Sequence, residues 1–290
     1  MSKLNTENQV KKFYDELPFN YYGELDGQCK AIINNNSIFS YPDLDNLLKG
    51  KKIKSIIDIG CGSGWFANSI AFYYGINVLG VDFSKKAIER AKKVSKVLKL
   101  QDIAKFKYGN FLNLPKNIGK FSLVNSIGVL HHTENCLKSL KIISGLVESE
   151  GYIHIGLYHK YGRKPFLDMF KKQRKKIKNN EKISKKEMGD AFEKYKKLNK
   201  GINDENFLHS WFRDQVLHVH ETQHTFKEIF LLLNRLGFEV ISSSINNFKK
   251  ISNSDKLFEL EKKYYNISLE RNLIKGQYFP GFFTILAKKK

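Results

Sequence analysis

Asp58-Ile-Gly60-Cys-Gly62-Ser-Gly64 is the stretch that decides the fold of this 290-residue chain. It follows the apolar run SIIDI and precedes a helical pattern that begins at Trp65. In a strand-to-helix turn, glycines let the backbone come close to a ligand, and the helix N-terminus faces that ligand. The dinucleotide fingerprint, started at Gly60, would need Gly or Ala at position 65. Trp65 stands there, which speaks against a nicotinamide or flavin dinucleotide. Asp82 closes the next apolar run, INVLGVD, 18 residues beyond Gly64, where a carboxylate can take both hydroxyls of a ribose.

Outward from this turn the texture alternates. A helix is expected over 65–74, and SKKAIERAKKVSKVL sets Ala87, Ile88, Ala91, Val94 and Leu98 on one stripe. AKFKYGN reads as a third strand and FSLVNSIGVL as a fourth. ENCLKSLKIISGLV follows as a helix with Leu137, Leu140, Ile143 and Val147 on one side, and GYIHIGLY as a fifth strand. Strands alternating with helices predict βαβ units and a parallel sheet. Residues 1–50 form a lead-in whose amphipathic VKKFYDELPFNYYGE is broken by Pro18, and residues 51–158 the ligand-binding core. Residues 159–220 form a basic helical insert with Met188, Ala191, Phe192, Tyr195 and Leu198 in helical register. Residues 221–290 resume the core: Thr225 and Glu228 read as a capping box, Gly237 as a helix stop, 246–276 as a second insert and FFTILAKK as the last strand.

Composition bounds the class. At 41 % hydrophobic and 27 % charged the chain is globular, and no apolar run approaches the roughly 20 residues of a membrane span. The start MSKLNTENQVKKFYDE carries no hydrophobic signal region. Cys29, Cys61 and Cys136 are scattered without a C-x-x-C pair, so neither a disulfide framework nor a cysteine metal site is expected, and a reducing, cytoplasmic setting fits. The net charge of +21 raises nucleic acid as a partner, yet only 6 of the 50 basic residues are arginine. Lys, Asn and Ile make up roughly a third of the chain, as AT-rich codons would produce. The charge is concentrated: residues 160–200 hold 16 basic and 5 acidic residues.

D-I-G-C-G-S-G, then G-V-D-F-S-K-K-A-I-E-R-A, Y-G-N-F-L-N-L-P and N-S-I-G-V-L-H-H-T, in this order and spacing, resemble the class I S-adenosylmethionine-dependent methyltransferases. The likeness is close over 53–158 and looser over 225–244. It implies a doubly wound, mostly parallel seven-stranded Rossmann-like sheet with its last strand antiparallel, here carrying helical cap inserts. S-adenosyl-L-methionine would be the cofactor. The resemblance places the donor's methionine part beside Asp58, Gly60, Gly62 and Gly64 and its ribose on Asp82. Where the family often has an acid for the adenine amino group, Asn110 stands; its amide oxygen can still accept that hydrogen bond, or it is a turn residue. The lead-in FYDELPFNYYG is similar to a segment that folds over the donor site in some members.

Methyl transfer from a sulfonium needs an aligned nucleophile and, for some acceptors, a base. His131 and His132, just past the fourth strand, are the candidates, against the reading that they only shape the pocket. No N/D-P-P-Y/F follows that strand, where Asn125-Ser-Ile-Gly128 stands, which argues against methylation of a base's exocyclic amine. His220-Glu-Thr-Gln-His224 satisfies H-E-x-x-H, but the helix start at Thr225 puts both imidazoles in a loop, so no metal site is expected. Asp214, His220 and Glu221, with Tyr158 and Arg163, are the candidate substrate-binding residues. The insert is expected to dock its apolar stripe near Tyr158 and cap a small-molecule acceptor. The alternatives are an RNA or protein methyltransferase that uses the basic insert as a clamp, and a non-catalytic nucleoside-binding module. The first is weakened because Lys171 to Asn180 hold no aromatic residue to stack a base, the second because Asp58, Gly60, Gly62 and Asp82 are intact.

Overall fold

The computed structural model describes residues 3–290; Met1 and Ser2, the first two of the expected lead-in, lie outside the described residues. The lead-in folds as Lys3–Glu16 (α1), Leu25–Asn34 (α2) and Pro42–Lys49 (α3). The core then alternates as read: Ser55–Ile59 (β1), Trp65–Tyr74 (α4), Asn77–Asp82 (β2), Lys85–Val97 (α5), Ala104–Tyr108 (β3), Phe121–Ile127 (β4), Cys136–Ser144 (α6) and Val147–Tyr158 (β5). The first insert supplies Lys160–Asp168 (α7), Lys171–Lys178 (α8), Lys185–Leu198 (α9) and Glu205–Val216 (α10). Phe226–Arg235 (α11), Phe238–Ser243 (β6), Ser254–Lys262 (α12), Tyr264–Leu269 (α13) and Phe282–Lys289 (β7) complete the chain.

The seven strands form one sheet in the order β3-β2-β1-β4-β5-β7-β6, in which β7 runs antiparallel to both neighbours and the other pairs are parallel. Successive residues of a strand face opposite sides. Ile57 packs with Leu140, Ile143, Ile229 and Leu233 under α6 and α11. Ile56 packs with Ile70 and Ala91 under α4 and α5. A strand buried on both faces reads as a continuous apolar run, which is why SIIDI signalled it.

Two local expectations are corrected. Val147 opens β5 instead of closing α6: Gly145 ends the helix, Phe121 N–H donates to Leu146 O at 2.9 Å, and Val147 pairs with Phe121. Thr225 Oγ1 accepts from Glu228 N–H at 3.1 Å, but the Glu228 carboxylate lies 2.8 Å from His224 Nδ1, so only half of the capping box forms there. A complete box forms instead at Ser184 and Glu187, at the start of α9.

The stripe on α9 does not dock at Tyr158. Ala191, Phe192, Tyr195 and Leu198 pack against Phe166 and Phe170 of α7 and Leu208, Phe212 and Val216 of α10, giving the insert a small core of its own. The second insert braces the sheet. Glu261 of α12 accepts from Phe226 N–H (2.6 Å) and Lys227 N–H (3.2 Å) at the buried start of α11, a favourable place for a carboxylate, and pairs with His159 at 2.9 Å.

Gly281, just before β7, is wedged against the start of α7: at φ +69, an added Cβ would lie 2.2 Å from the backbone of Gly162 and Arg163. Gly281→Ala should therefore lose about 2–4 kcal/mol in urea unfolding, combining left-handed strain with backbone displacement. Gly276→Ala, at φ +58 with nothing within 4 Å of its Cβ, should lose only about 1–2 kcal/mol; equal losses would refute the wedge.

Candidate active site over the carboxyl edge of the sheet

In an open α/β sheet, ligands sit outside the carboxyl ends of the strands where the strand order reverses. Here the order reverses between the paired strands β1 and β4, and a cavity of about 840 Å³ lies over their ends. Gly60 and Gly62 line it with φ of +69 and +52. A Cβ on Gly60 would strike Val129 at 2.4 Å, while one on Gly62 would meet nothing within 4 Å, so Gly62 opens onto the space. Gly64 does not line the cavity. Its missing side chain makes room for Asn68, Ala91 and Phe106, and it starts α4 from the left-handed region.

Asp82 Oδ2 accepts from Gly62 N–H at 2.9 Å and Oδ1 from Ser84 N–H at 2.8 Å, so this acid sets the shape of the glycine loop. Burial pushes its carboxyl up to about 6 against those hydrogen bonds. Asp58 is the end of a row that crosses three strands in register. His154 of β5 meets Asn125 of β4 (Nδ1 to Oδ1, 2.8 Å), and Asn125 Nδ2 donates to Asp58 Oδ1 at 2.7 Å. Asp58 Oδ2 is buried at the cavity without a partner, and burial pushes the carboxyl up to about 7. Asn125, noted in the sequence only for what it was not, is thus a site residue. Asn110 lines the cavity as a turn residue: its Oδ1 accepts from Leu112 N–H at 2.9 Å.

The lead-in closes the other side. Asn20, itself at φ +54, accepts at its carbonyl from Trp65 Nε1 (2.7 Å) and Ser63 Oγ (3.2 Å), both within or just after the glycine loop. Its side-chain oxygen takes Trp211 Nε1 of α10, and Phe19 stacks on the Trp211 ring at 5.8 Å. The strap therefore ties the glycine loop to α10. Of the first insert only α10 reaches the cavity, through Phe207, Trp211, Asp214 and Gln215; the second insert contributes nothing to it.

At this end the expected site residues divide. His132, Tyr158 and Asp214 line the cavity. Asp214 accepts from Tyr14 OH at 2.5 Å and Tyr158 OH at 3.2 Å, and Tyr14 had no sequence signal beyond its place in the lead-in. His131 lies behind, its Nε2 3.1 Å from His132 Nε2. Burial pushes both imidazoles below the ordinary range. His132 Nδ1 must donate to the His220 carbonyl at 2.9 Å, so its Nε2 carries the lone pair.

Arg163, Glu221 and His220 do not face the cavity. Arg163 Nη2 and Glu221 Oε2 form a buried ion pair at 2.8 Å, and the guanidinium sits 3.6 Å from the centroid of the Tyr158 ring, supporting it from behind. The two charges satisfy one another, and Arg163 holds the Glu221 carboxyl down at about 2. His220 Nε2 is 3.0 Å from the Thr133 carbonyl. His224, the second histidine of H-E-x-x-H, is engaged by Glu228 and Thr222.

His132, Asp214 and His218 bring one ligand atom each within 4.8 Å, the spacing of a metal site. The protons argue otherwise. His218 Nδ1 accepts the His220 N–H at 3.0 Å, so a neutral ring carries its hydrogen on Nε2, and neither ring nitrogen keeps a free lone pair for a cation.

Charge is sorted at this surface. Among the described residues no lysine or arginine lines the cavity, whereas Glu7, Asp58, Asp82, Glu134 and Asp214 do. The basic helix α8 has no buried residue and stays outside; Lys176 pairs with Glu187 at 2.7 Å and Arg174 Nη1 donates to the Val216 and His218 carbonyls.

A family model described as a methyltransferase domain matches residues 50–200, half of the chain. Norajmaline N-methyltransferase of Rauvolfia serpentina is 30 % identical over 127 residues, 44 % of this chain and 44 % of that protein. Ubiquinone biosynthesis O-methyltransferase of Pelagibacter ubique (strain HTCC1062) is 29 % identical over 169 residues, 55 % of this chain and 68 % of that protein. The matched stretch thus spans less than half the length of the first of these relatives. The solved structure of PKMT2 from Rickettsia typhi in complex with AdoHcy superposes with a TM-score of 0.54 at 18 % identity, over 81 % of this chain and 48 % of that one, a likeness of fold.

Asp58 gives the site a measurable cost. Its carboxyl sits at about 7 in the fold against 3.8 free, so the stability it allows is fully present below 3.8 and is lost as pH rises through 7. Asp58→Asn, which can still accept from Asn125, should be more stable than the wild type by about 2–4 kcal/mol at pH 8, the gain fading by pH 4. Urea titrations at both pH values check this; no gain at pH 8 would mean the carboxylate has a cation partner.

Proposed function

The chain belongs to the methyltransferase domain family, and on that premise we propose that it transfers a methyl group from S-adenosyl-L-methionine to a small-molecule acceptor. The observation that carries this reading is the continuous cavity that joins the glycine loop at the strand ends to an aromatic chamber under α10. Its 840 Å³ lies within the range of small-molecule sites, about 300–1,000 Å³. The names of relatives that methylate small molecules agree with it.

The residues present fit the donor. Gly62 leaves open space, Asp58 Oδ2 is an unpartnered buried acceptor suited to the donor's ammonium, and Asp82 stands where ribose hydroxyls would lie. Asn110 is proposed at the adenine end, using the second lone pair of its Oδ1. Gly60 contributes by clearance for Val129 and Gly64 by packing. Bound there, S-adenosylmethionine supplies an electrophilic methyl group on a sulfonium.

The chain's own part is alignment and exclusion of water. His132 is proposed to receive the acceptor's proton at Nε2 where there is one; without acceptor that lone pair takes the His131 Nε2–H at 3.1 Å, which the acceptor's proton displaces, while the His220 carbonyl fixes the ring through Nδ1. Tyr158 and Asp214 are proposed to hold the acceptor. Arg163 and Glu221 act through Tyr158, and His220 through His132.

The basic insert is proposed as a cap and not as a nucleic-acid arm, since its lysines stand outside and the cavity is lined by acids. No helix among the described residues is long and apolar enough to cross a membrane. A reducing cytoplasm is the compartment proposed for it, supported by three buried, free cysteines.

Calorimetry should show binding of S-adenosylmethionine and S-adenosylhomocysteine. Asp82→Ala should weaken both by about 1.5–3 kcal/mol, the cost of a hydrogen bond to a charged group, and unchanged affinity would sink the ribose assignment. RNA should bind only weakly, fading with salt at a slope of about −0.7 per phosphate contact. Submicromolar RNA binding at physiological salt, lost when Lys171, Lys172, Lys175 and Lys176 become Gln, would replace the small-molecule reading with the polymer one. Arg174 is left in place because it holds the chain at Val216 and His218.

A further inference from the structure

Asp214 is a carboxylate only 4 % exposed, set in the cavity wall. Its two hydrogen-bond donors, the hydroxyls of Tyr14 and Tyr158, are neutral. Burying an ionised carboxylate costs several kcal/mol unless a cation offsets it. Among the described residues its only cationic candidate within 4.0 Å is His132 Nε2 at 3.7 Å, and that nitrogen carries a lone pair. Arg163 lies behind the Tyr158 ring, where it and Arg174 share Glu221; its charge reaches Asp214 only from a distance and does not outweigh the burial. Burial accordingly raises the Asp214 carboxyl above its ordinary range. The missing counter-charge has one open direction from which to arrive, the cavity.

The walls beside Asp214 are rings. Phe207 and Trp211 come from the same helix, 5.3 Å apart, and Tyr278 lies 5.7 Å from Trp211. Tyr158 and Phe282 form a second pair at 5.9 Å. Aromatic faces attract cations and stack on flat apolar groups. An anionic acceptor would find no lysine or arginine on the wall and several carboxylates instead.

Resting on the methyl-transfer reading, we propose that the acceptor is an amine attached to a flat apolar ring, bound as its ammonium ion against Asp214 with the ring among Trp211, Tyr278 and Phe282; the nitrogen gains the lone pair that attacks the methyl group when its proton passes to the Asp214 carboxylate. The positive sulfonium of the donor is the other source from which such a charge could come. The location favours the acceptor: Asp58 and Asp82 already stand at the glycine-loop end, while Asp214 belongs to the cap.

The test is calorimetry on the protein saturated with S-adenosylhomocysteine, whose sulfur is neutral. The probes are tryptamine and 2-phenylethylamine, compared with indole-3-acetate and 3-phenylpropanoate, which carry the same rings with a carboxylate. The amines should bind at least about tenfold more tightly than the acids. Asp214→Asn should weaken the amines about tenfold or more while S-adenosylhomocysteine affinity stays within about twofold. Amines and acids binding alike, or neither amine binding up to about 10 mM, overturns the proposal. So does an Asp214→Asn protein that binds the amines normally but loses S-adenosylmethionine relative to S-adenosylhomocysteine, which assigns the carboxylate to the sulfonium. If the variant also loses S-adenosylhomocysteine, the comparison of amines with acids on the wild type decides alone. Failure of S-adenosylhomocysteine to bind the wild type is a different result, because it removes the methyl-transfer reading itself.

Discussion

A carboxylate buried at the centre of a parallel sheet, with one hydrogen bond and no cation beside it, is the constraint on which the site depends. Asp58 can occupy that place because the strand register puts Asn125 next to it and His154 next to Asn125. The sheet supplies rigidity that a loop could not, and the row spends it on holding one acid in an unfavourable state. Such stored cost is common where a ligand later provides the missing charge. The glycine loop, the turn held by Asp82 and the start of α4 are all arranged around the end of this strand.

The second organising feature is the strap from Phe13 to Tyr22. It is held less by apolar burial than by specific polar contacts at both ends. Asn20 joins Ser63 and Trp65 of the core to Trp211 of the cap, and Tyr14 reaches Asp214. Arg213 of α10 returns the contact, donating to the Phe13 carbonyl and pairing with Glu16 at 2.9 Å. The glycine-loop end and the α10 end of the cavity are therefore joined through the same few residues. The first insert keeps a small core of its own, separate from the sheet.

Charge is distributed against its own average. A chain of +21 lines its cavity with acids and sends its lysines outward, most densely on α8. Net charge thus says little about the partner here, because the field inside a low-dielectric cavity is set by the nearest groups and surface lysines are screened by water and salt.

By itself the sequence determined the strands, the helices of the core, the glycine loop and both of its acids. Each of these is written in local signals: β-branched runs, an apolar stripe at helical spacing, glycines where φ is positive. It also marked the histidine pair, Tyr158 and Asp214 as near the site. Periodicity could not tell which polar side chains face the cavity and which satisfy one another, because that depends on partners far apart in the chain. Arg163 and Glu221, 58 residues apart, cancel in a buried pair, and His220 turns to the Thr133 carbonyl. Tyr14 meets Asp214 across 200 residues, and the aromatic chamber draws Trp211 and Tyr278 from opposite sides of α11 and β6 in sequence. Only the tertiary structure decided those pairings, since a buried charge takes whichever partner the fold brings within reach, and local sequence carries no record of it.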